Sequence, residues 1–140
     1  MINVLMPFYN SEKYLKRSLE SILAQTFRDF QIILLDDGSN DNSVNIIKSY
    51  NDNRIKLFEN KKNMGRGYSR NILLELSNTE LSCWCDSDDY MLPQKLEKQY
   101  DYFLNNQGCY FLATEMYDMN VDKIIGVGCN KHWMINELTL

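Results

Sequence analysis

Short apolar runs alternating with amphipathic segments predict a doubly wound, mainly parallel α/β sheet with helices on both faces. Three observations carry the prediction. The runs Ile2–Met6 and Gln31–Leu35 are nearly all apolar, as strands buried on both faces are. Between them, Leu15, Leu19 and Ile22 recur at helical spacing. Three strand ends carry polar clusters, Pro7–Asn10, Asp36–Ser39 and Asp86–Asp89, and in a parallel sheet such ends share one edge.

The first strand, Ile2–Met6, is closed by Pro7. Phe8–Ser11 turns the chain into a helix over Glu12–Gln25, with Asn10 or Ser11 as N-cap and a stripe of Tyr14, Leu15, Leu19, Ile22 and Leu23. Gln31–Leu35 is the second strand. In the acidic turn behind it, Gly38 permits a tight bend, and Ser39 or Asp41 suits the cap of a short helix lined by Val44, Ile47 and Tyr50. Ile55–Phe58 reads as a third strand. A basic loop over Asn60–Gly67 then precedes a helix from Tyr68 to Leu76, with Ile72, Leu73 and Leu76 inward.

Leu81–Cys85 is the fourth strand and runs straight into Asp86, Asp88 and Asp89. Pro93 suits the first turn of the next helix, whose stripe is Leu96, Tyr100, Phe103 and Leu104. Cys109–Thr114 is expected as a fifth strand, and Val121–Val127 as an edge strand after a turn near Asp118–Asn120. No repeat, linker or low-complexity block interrupts the pattern.

A chain of 140 residues matches one domain, and 44% hydrophobic and 24% charged residues are ordinary for a globular protein. A net charge of −4 argues against general nucleic-acid binding, which needs a basic face. No apolar run approaches the ~18 residues of a membrane span. Met1 leads directly into strand-like sequence, so no signal peptide is expected. Cys83, Cys85, Cys109 and Cys129 do not make a disulfide framework in a chain of this size. Cys83 and Cys85 share a strand face and read as reduced core thiols, which suits the cytoplasm. His132 beside Trp133 reads as packing or surface.

The chemistry concentrates at the strand ends. Asp86, Asp88 and Asp89 repel one another and raise each other's pKa unless a cation compensates. Mg2+ or Mn2+ suits the role, since hard cations take oxygen ligands and bridge carboxylates to phosphates. The plainer alternative is a solvated acidic turn that caps a helix. Arg66 and Arg70, four apart on a helix start, suit either those carboxylates or a phosphate, and a structural ion pair for Arg70 stays equally open. Neither a P-loop nor a G-x-G-x-x-G is present, so a phosphate would be held through a metal.

Five segments in order, Val4–Asn10, Ser21–Phe27, Leu35–Ser39, Asn63–Gly65 with Ser69–Asn71, and Asp86–Asp89, resemble the N-terminal, donor-binding half of a family-two glycosyltransferase of the GT-A fold. The likeness covers about residues 2 to 104. It implies transfer of a sugar from a nucleotide diphosphate, often UDP, to a saccharide or lipid-linked acceptor, usually with inversion. It also implies that Pro7, Phe8, Tyr9 and Asp37 meet the base, with Asp37 accepting a ring N–H. Asp86 would face the ribose or Arg70, Asp88 would hold the metal with Asp86, and Asp89 is a further candidate ligand or a cap.

The approach Cys83–Cys85 departs from the small or aliphatic residues usual in that family. The resemblance places residues 1–140 in a single nucleotide-sugar-binding domain that stops before the acceptor and catalytic-base region. Glu115, Asp118 and Asp122 fall too early to be that base. The expected setting is the cytoplasm or, peripherally, the inner membrane face, with self-association through a surface the missing half would cover. Two other classes stay open: a nucleotide-sugar-binding module without catalysis, and a metal-dependent nucleotidyltransferase-like enzyme.

Overall fold

The computed structural model describes residues 1–114 in full and, beyond them, three strands at 116–120, 123–128 and 134–135. The chain forms two compact units, Met1–Glu97 and Lys98–Leu140. Glu115, Val121, Asp122, Cys129, His132 and Trp133 lie outside the described residues.

In the first unit, β1 (Ile2–Phe8), β2 (Phe30–Asp36), β3 (Ile55–Glu59) and β4 (Leu81–Trp84) form an all-parallel sheet in the order β3-β2-β1-β4. The chain starts at β1, builds outward through β2 and β3, and returns to place β4 on the other side of β1. Strand order therefore reverses between β1 and β4, where open α/β sheets form their ligand crevice.

Alternation along the strands fills two cores. Leu5, Ile33 and Leu35 pack against Leu73 of α3 (Arg66–Leu76), with Ile72, Leu76 and Trp84 partly buried beside them. Val4, Met6, Ile32 and Leu34 point to the opposite face and are equally inaccessible. That face is covered by α1 (Leu15–Leu23). Cys83 pairs with Val4, so Cys85 shares that side, and Ser18 Oγ of α1 lies 3.7 Å from Cys85 Sγ. Burial pushes the Cys85 thiol up to about 12, which makes it an inert core thiol. Among the described residues Cys83, Cys85 and Cys109 form no disulfide with one another. A short α2 (Ser43–Lys48) packs on α1 and buries Ile47.

Gln25, wholly buried just past α1, fixes the entry to α4 (Lys95–Asn105). Its Nε2 donates to the Leu92 carbonyl at 2.8 Å, and its Oε1 accepts the Leu96 amide at 3.0 Å. Pro93 lies ahead of this helix rather than in its first turn, with its carbonyl accepting the Thr26 amide at 2.8 Å. Of the expected stripe, Leu96 is buried, Tyr100 and Phe103 are half-buried, and Leu104 is exposed.

Helix α1 begins at Leu15, not at Glu12. Asn10 and Ser11 do not cap it, because both are engaged by other loops, and Tyr14 is exposed rather than part of the stripe. In the second unit β5 (Phe111–Leu112) is shorter than expected and pairs antiparallel with β8 (Met134–Ile135). β6 (Met116–Asn120) and β7 (Lys123–Gly128) form an antiparallel pair, so Asp118–Asn120 belong to a strand and not to a turn.

Candidate donor site

The carboxyl edge of the sheet is built from three turns bonded to one another. Behind β1, Phe8 is buried and Tyr9 exposed, and Asn10 takes the left-handed region at φ +49° that asparagine tolerates. There the Asn10 amide donates to Ser39 Oγ at 2.9 Å, and Asn10 Oδ1 accepts the Asn40 amide at 2.9 Å. The Ser11 amide donates to Ser43 Oγ at 2.9 Å. The Glu12 amide donates to Asp41 Oδ2, and Glu12 Oε2 accepts the Asn42 amide, each at 3.0 Å. Asp41 also accepts the Ser43 amide at 2.9 Å and so braces the turn ahead of α2, but the N-cap position is Asn42, not Ser39 or Asp41. Two loops about thirty residues apart thus satisfy each other's backbone.

Behind β2, Asp36 closes its own turn by accepting the Ser39 amide on both oxygens, at 3.0 and 3.1 Å. Asp37 is buried and faces the β3–α3 loop. Its Oδ1 accepts Asn60 Nδ2 and the Met64 amide, both at 2.9 Å, and its Oδ2 accepts the Gly65 amide at 2.8 Å. Burial raises its pKa, but the bonds from Met64, Asn60 and Gly65 outweigh that and hold the carboxyl below its ordinary value. Gly38 brings the same turn against the loop backbone. A Cβ there would lie 2.6 Å from the Lys62 carbonyl carbon, and the residue holds φ +78°.

Behind β4, Asp86 Oδ1 accepts Arg70 Nη2 at 2.9 Å, and the Arg70 guanidinium stands 5.0 Å over the Trp84 ring. Arg70 Nε is buried without a protein partner. The Asp86 carbonyl accepts Ser18 Oγ at 3.2 Å and the Asp89 amide at 3.0 Å, which curls the turn. Ser87 points inward and meets Ser11 Oγ at 2.8 Å, while Asp88 is exposed. Desolvation first, and then the charges of Asp86 and Asp88, push the Asp89 pKa up, while the Lys95 charge pulls it down. Among the described residues no three His, Cys, Asp or Glu side chains are grouped as a metal cage. A cation here would rest on one or two carboxylates and complete its shell from phosphate oxygens and water, which is how Mg2+ is commonly held.

A family model described as glycosyl transferase family 2 matches residues 3–135. The chain belongs to that family. It is 42% identical over 121 residues to an uncharacterised glycosyltransferase of Methanocaldococcus jannaschii, covering 84% of this chain and 42% of the relative. It is 31% identical over 126 residues to the Escherichia coli UDP-Glc:alpha-D-GlcNAc-diphosphoundecaprenol beta-1,3-glucosyltransferase WfgD, covering 90% of this chain and 49% of that protein. Among solved structures, TarS 1-349 of S. aureus in complex with UDP-GlcNAc superposes with a TM-score of 0.70 at 31% identity, over 74% of this chain and 31% of the other. The chain therefore spans less than half the length of these relatives.

Within this family 2 chain, the residues read from sequence gather at one edge: the Pro7–Tyr9 turn, Asp37, and Asp86 with Arg70. Of the two readings for Asp86, the pairing with Arg70 is the one present. Asn10, Ser11, Asn60 and Ser87 also organise this edge. Asn60 has no local sequence signal for that role, and Asn10, ahead of a helix, has the sequence pattern of a cap.

Proposed function

We propose that this edge binds the nucleotide diphosphate of a sugar donor and that the chain is the donor-binding part of a glycosyltransferase. The observation that supports it is the bonding of three strand-end turns into one rim at the β1/β4 switch point, in a family 2 chain whose structural neighbour holds UDP-GlcNAc. A UDP-sugar is the donor class favoured. Pro7, Phe8 and Tyr9 would flank the base. Asp37 would accept a ring N–H on Oδ2 while continuing to strap the β3–α3 loop. Arg70 and Asp86 would face the ribose and diphosphate side.

Asp88, with Asp86 and then Asp89, would hold Mg2+ or Mn2+. Such an ion, when bound, offsets negative charge on a departing diphosphate as a Lewis acid. The sugar would pass to a saccharide or lipid-linked acceptor, with inversion. No residue described here is assigned as the base. Among the described residues no helix is long and apolar enough to cross a membrane, and the proposed setting is cytoplasmic or peripheral at the inner face.

The test is calorimetric titration of uridine, UDP and UDP-sugars with Mn2+ and then with chelator. UDP should bind, with affinity dependent on the metal, and Asp88→Asn should lower the metal-dependent part while sparing uridine. Absence of UDP binding under both conditions overturns the donor-site reading. Equal binding under both overturns only the metal role.

A further inference from the structure

Ser87 sits between Asp86 and Asp88 but faces the other way. It is 9% exposed, against an open Asp88, so the turn buries its middle residue and presents its flanking carboxylates. The partner that holds Ser87 inward is Ser11, 2.8 Å away on the opposite side of the β1/β4 switch point. A hydroxyl carries one proton. Either hydroxyl can donate in the Ser11–Ser87 pair, and Ser11 Oγ also lies 3.3 Å from the Tyr9 carbonyl, so the three groups form one linked chain. The Ser11 amide is itself anchored on Ser43 Oγ, and the turn's other inward group, the Asp86 carbonyl, is held by Ser18 Oγ.

From this chain of bonds we infer that Ser11 and Ser87 are positioning residues that couple the base-side turn at Tyr9 to the carboxylate turn at Asp86–Asp89. The inference rests on the donor-site reading and adds to it a mechanical link between the two ends of a bound nucleotide. Neither serine touches the ligand. Ser87 aims Asp86 and Asp88 outward by being held inward, and it is held by the same residue that fixes the Tyr9 carbonyl. Losing the Ser87 hydroxyl leaves Tyr9 and Arg70 in place but frees the turn that carries Asp88, whereas losing the Ser11 hydroxyl frees the Tyr9 carbonyl as well.

The test uses the full chain as wild type, Ser11→Ala, Ser87→Ala, the double variant, and Ser87→Thr, which keeps a hydroxyl. Uridine and UDP are titrated calorimetrically with Mn2+ and with chelator. Uridine affinity should be unchanged in Ser87→Ala, while the Mn2+-dependent gain for UDP falls about tenfold, the size of one net hydrogen bond. The double variant should be no worse than the single ones, and Ser87→Thr should recover the gain. An unchanged Mn2+-dependent gain in Ser87→Ala, or an equal loss for uridine and UDP, overturns the coupling. Amide hydrogen exchange gives a second readout without nucleotide. Ser11→Ala should speed exchange both in its own turn and across 86–90, and a rise confined to its own turn overturns the coupling. If wild type binds no UDP, the donor reading fails and this exchange experiment alone decides the link.

Discussion

Replacing Gly38 by alanine should be the most damaging small change on the site edge, and its cost can be built from geometry. The residue sits at φ +78°, and a left-handed conformation costs an L side chain about 1–2 kcal/mol. The new Cβ would meet the Lys62 carbonyl carbon at 2.6 Å and Lys62 Cα and the Asn63 nitrogen at 2.8 Å, all backbone, so the β3–α3 loop must move. That movement pulls the Met64 and Gly65 amides away from Asp37, and a hydrogen bond to a charged group is worth about 1.5–3 kcal/mol. Strain plus one such bond gives a loss of roughly 2.5–5 kcal/mol. Two other glycines serve as controls. Gly65 also has a positive φ, +92°, with ψ 155° and nothing within 4 Å of its would-be Cβ, so Gly65→Ala should lose only the strain, about 1–3 kcal/mol. Gly67 lies in α3 with open space around it, so Gly67→Ala should gain about 0.5–1 kcal/mol. Urea unfolding followed by circular dichroism ranks the three by midpoint at constant slope. Equal losses for Gly38→Ala and Gly65→Ala would refute the close approach of the two loops.

Other outcomes follow from the charges. Asp37, Asp41 and Asp52 are all held below their ordinary pKa, so the unfolded chain binds more protons than the folded one as pH falls. Their stability is therefore fully present above the unfolded carboxylate pKa of about 3.9 and is lost as pH drops through the lowered folded values. Asp37→Asn should flatten this acid limb in a thermal series, and an unaltered limb would show that Asp37 does not contribute to it. Asp89 has the opposite sign. Its raised pKa makes its ionised form unfavourable in the fold, with stability lost as pH rises through that raised value. Asp89→Asn should raise the Tm at pH 7 in metal-free buffer, and a lowered Tm would show that the three carboxylates do not repel as described. The Arg70–Asp86 pair is more than a third exposed on both sides, at 38% and 35%, so Arg70→Ala should cost no more than about 1 kcal/mol of stability. The same change should weaken UDP binding severalfold in calorimetry. Intact affinity alongside a large loss of stability would make Arg70 purely structural.

How much of this was legible in sequence depends on where each residue finds its partners. The two central strands, β1 and β2, could be read because burial on both faces demands unbroken apolar runs, and Ile32–Leu35 leaves no other reading. The stripe of α1 could be read through Leu15, Leu19 and Ile22. Its start could not, since Asn10 and Ser11 look like caps until Ser39, Asn40 and Ser43 arrive from another loop to claim them. Pro93 likewise looked like a first-turn proline until Thr26 bound its carbonyl. In α4 the helical period predicted a longer buried stripe than exists: Leu96 obeys it and Leu104 does not. Local rules thus located the elements, and the errors fall where a polar group answers to a residue distant in sequence.

The same distinction separates the aspartates, which look alike in sequence. Asp37 and Asp86 each end a strand on the edge of one crevice, yet their surroundings assign them different physics. Asp37 has the protein's own N–H groups on both oxygens and is nearly closed to water, so its charge is stabilised by the fold and in turn holds the fold. Asp86 has one oxygen on Arg70 and stands beside Asp88 and Asp89, so one turn carries three carboxylates. The β2 end therefore has its charge satisfied by the fold, whereas the β4 end presents carboxylates that a cation and its phosphate can engage. Removing Asp37 would mix any loss of base recognition with collapse of the Met64–Gly65 loop. Asp88, exposed and outside the bonded lattice, is the cleaner position at which to ask what the edge binds.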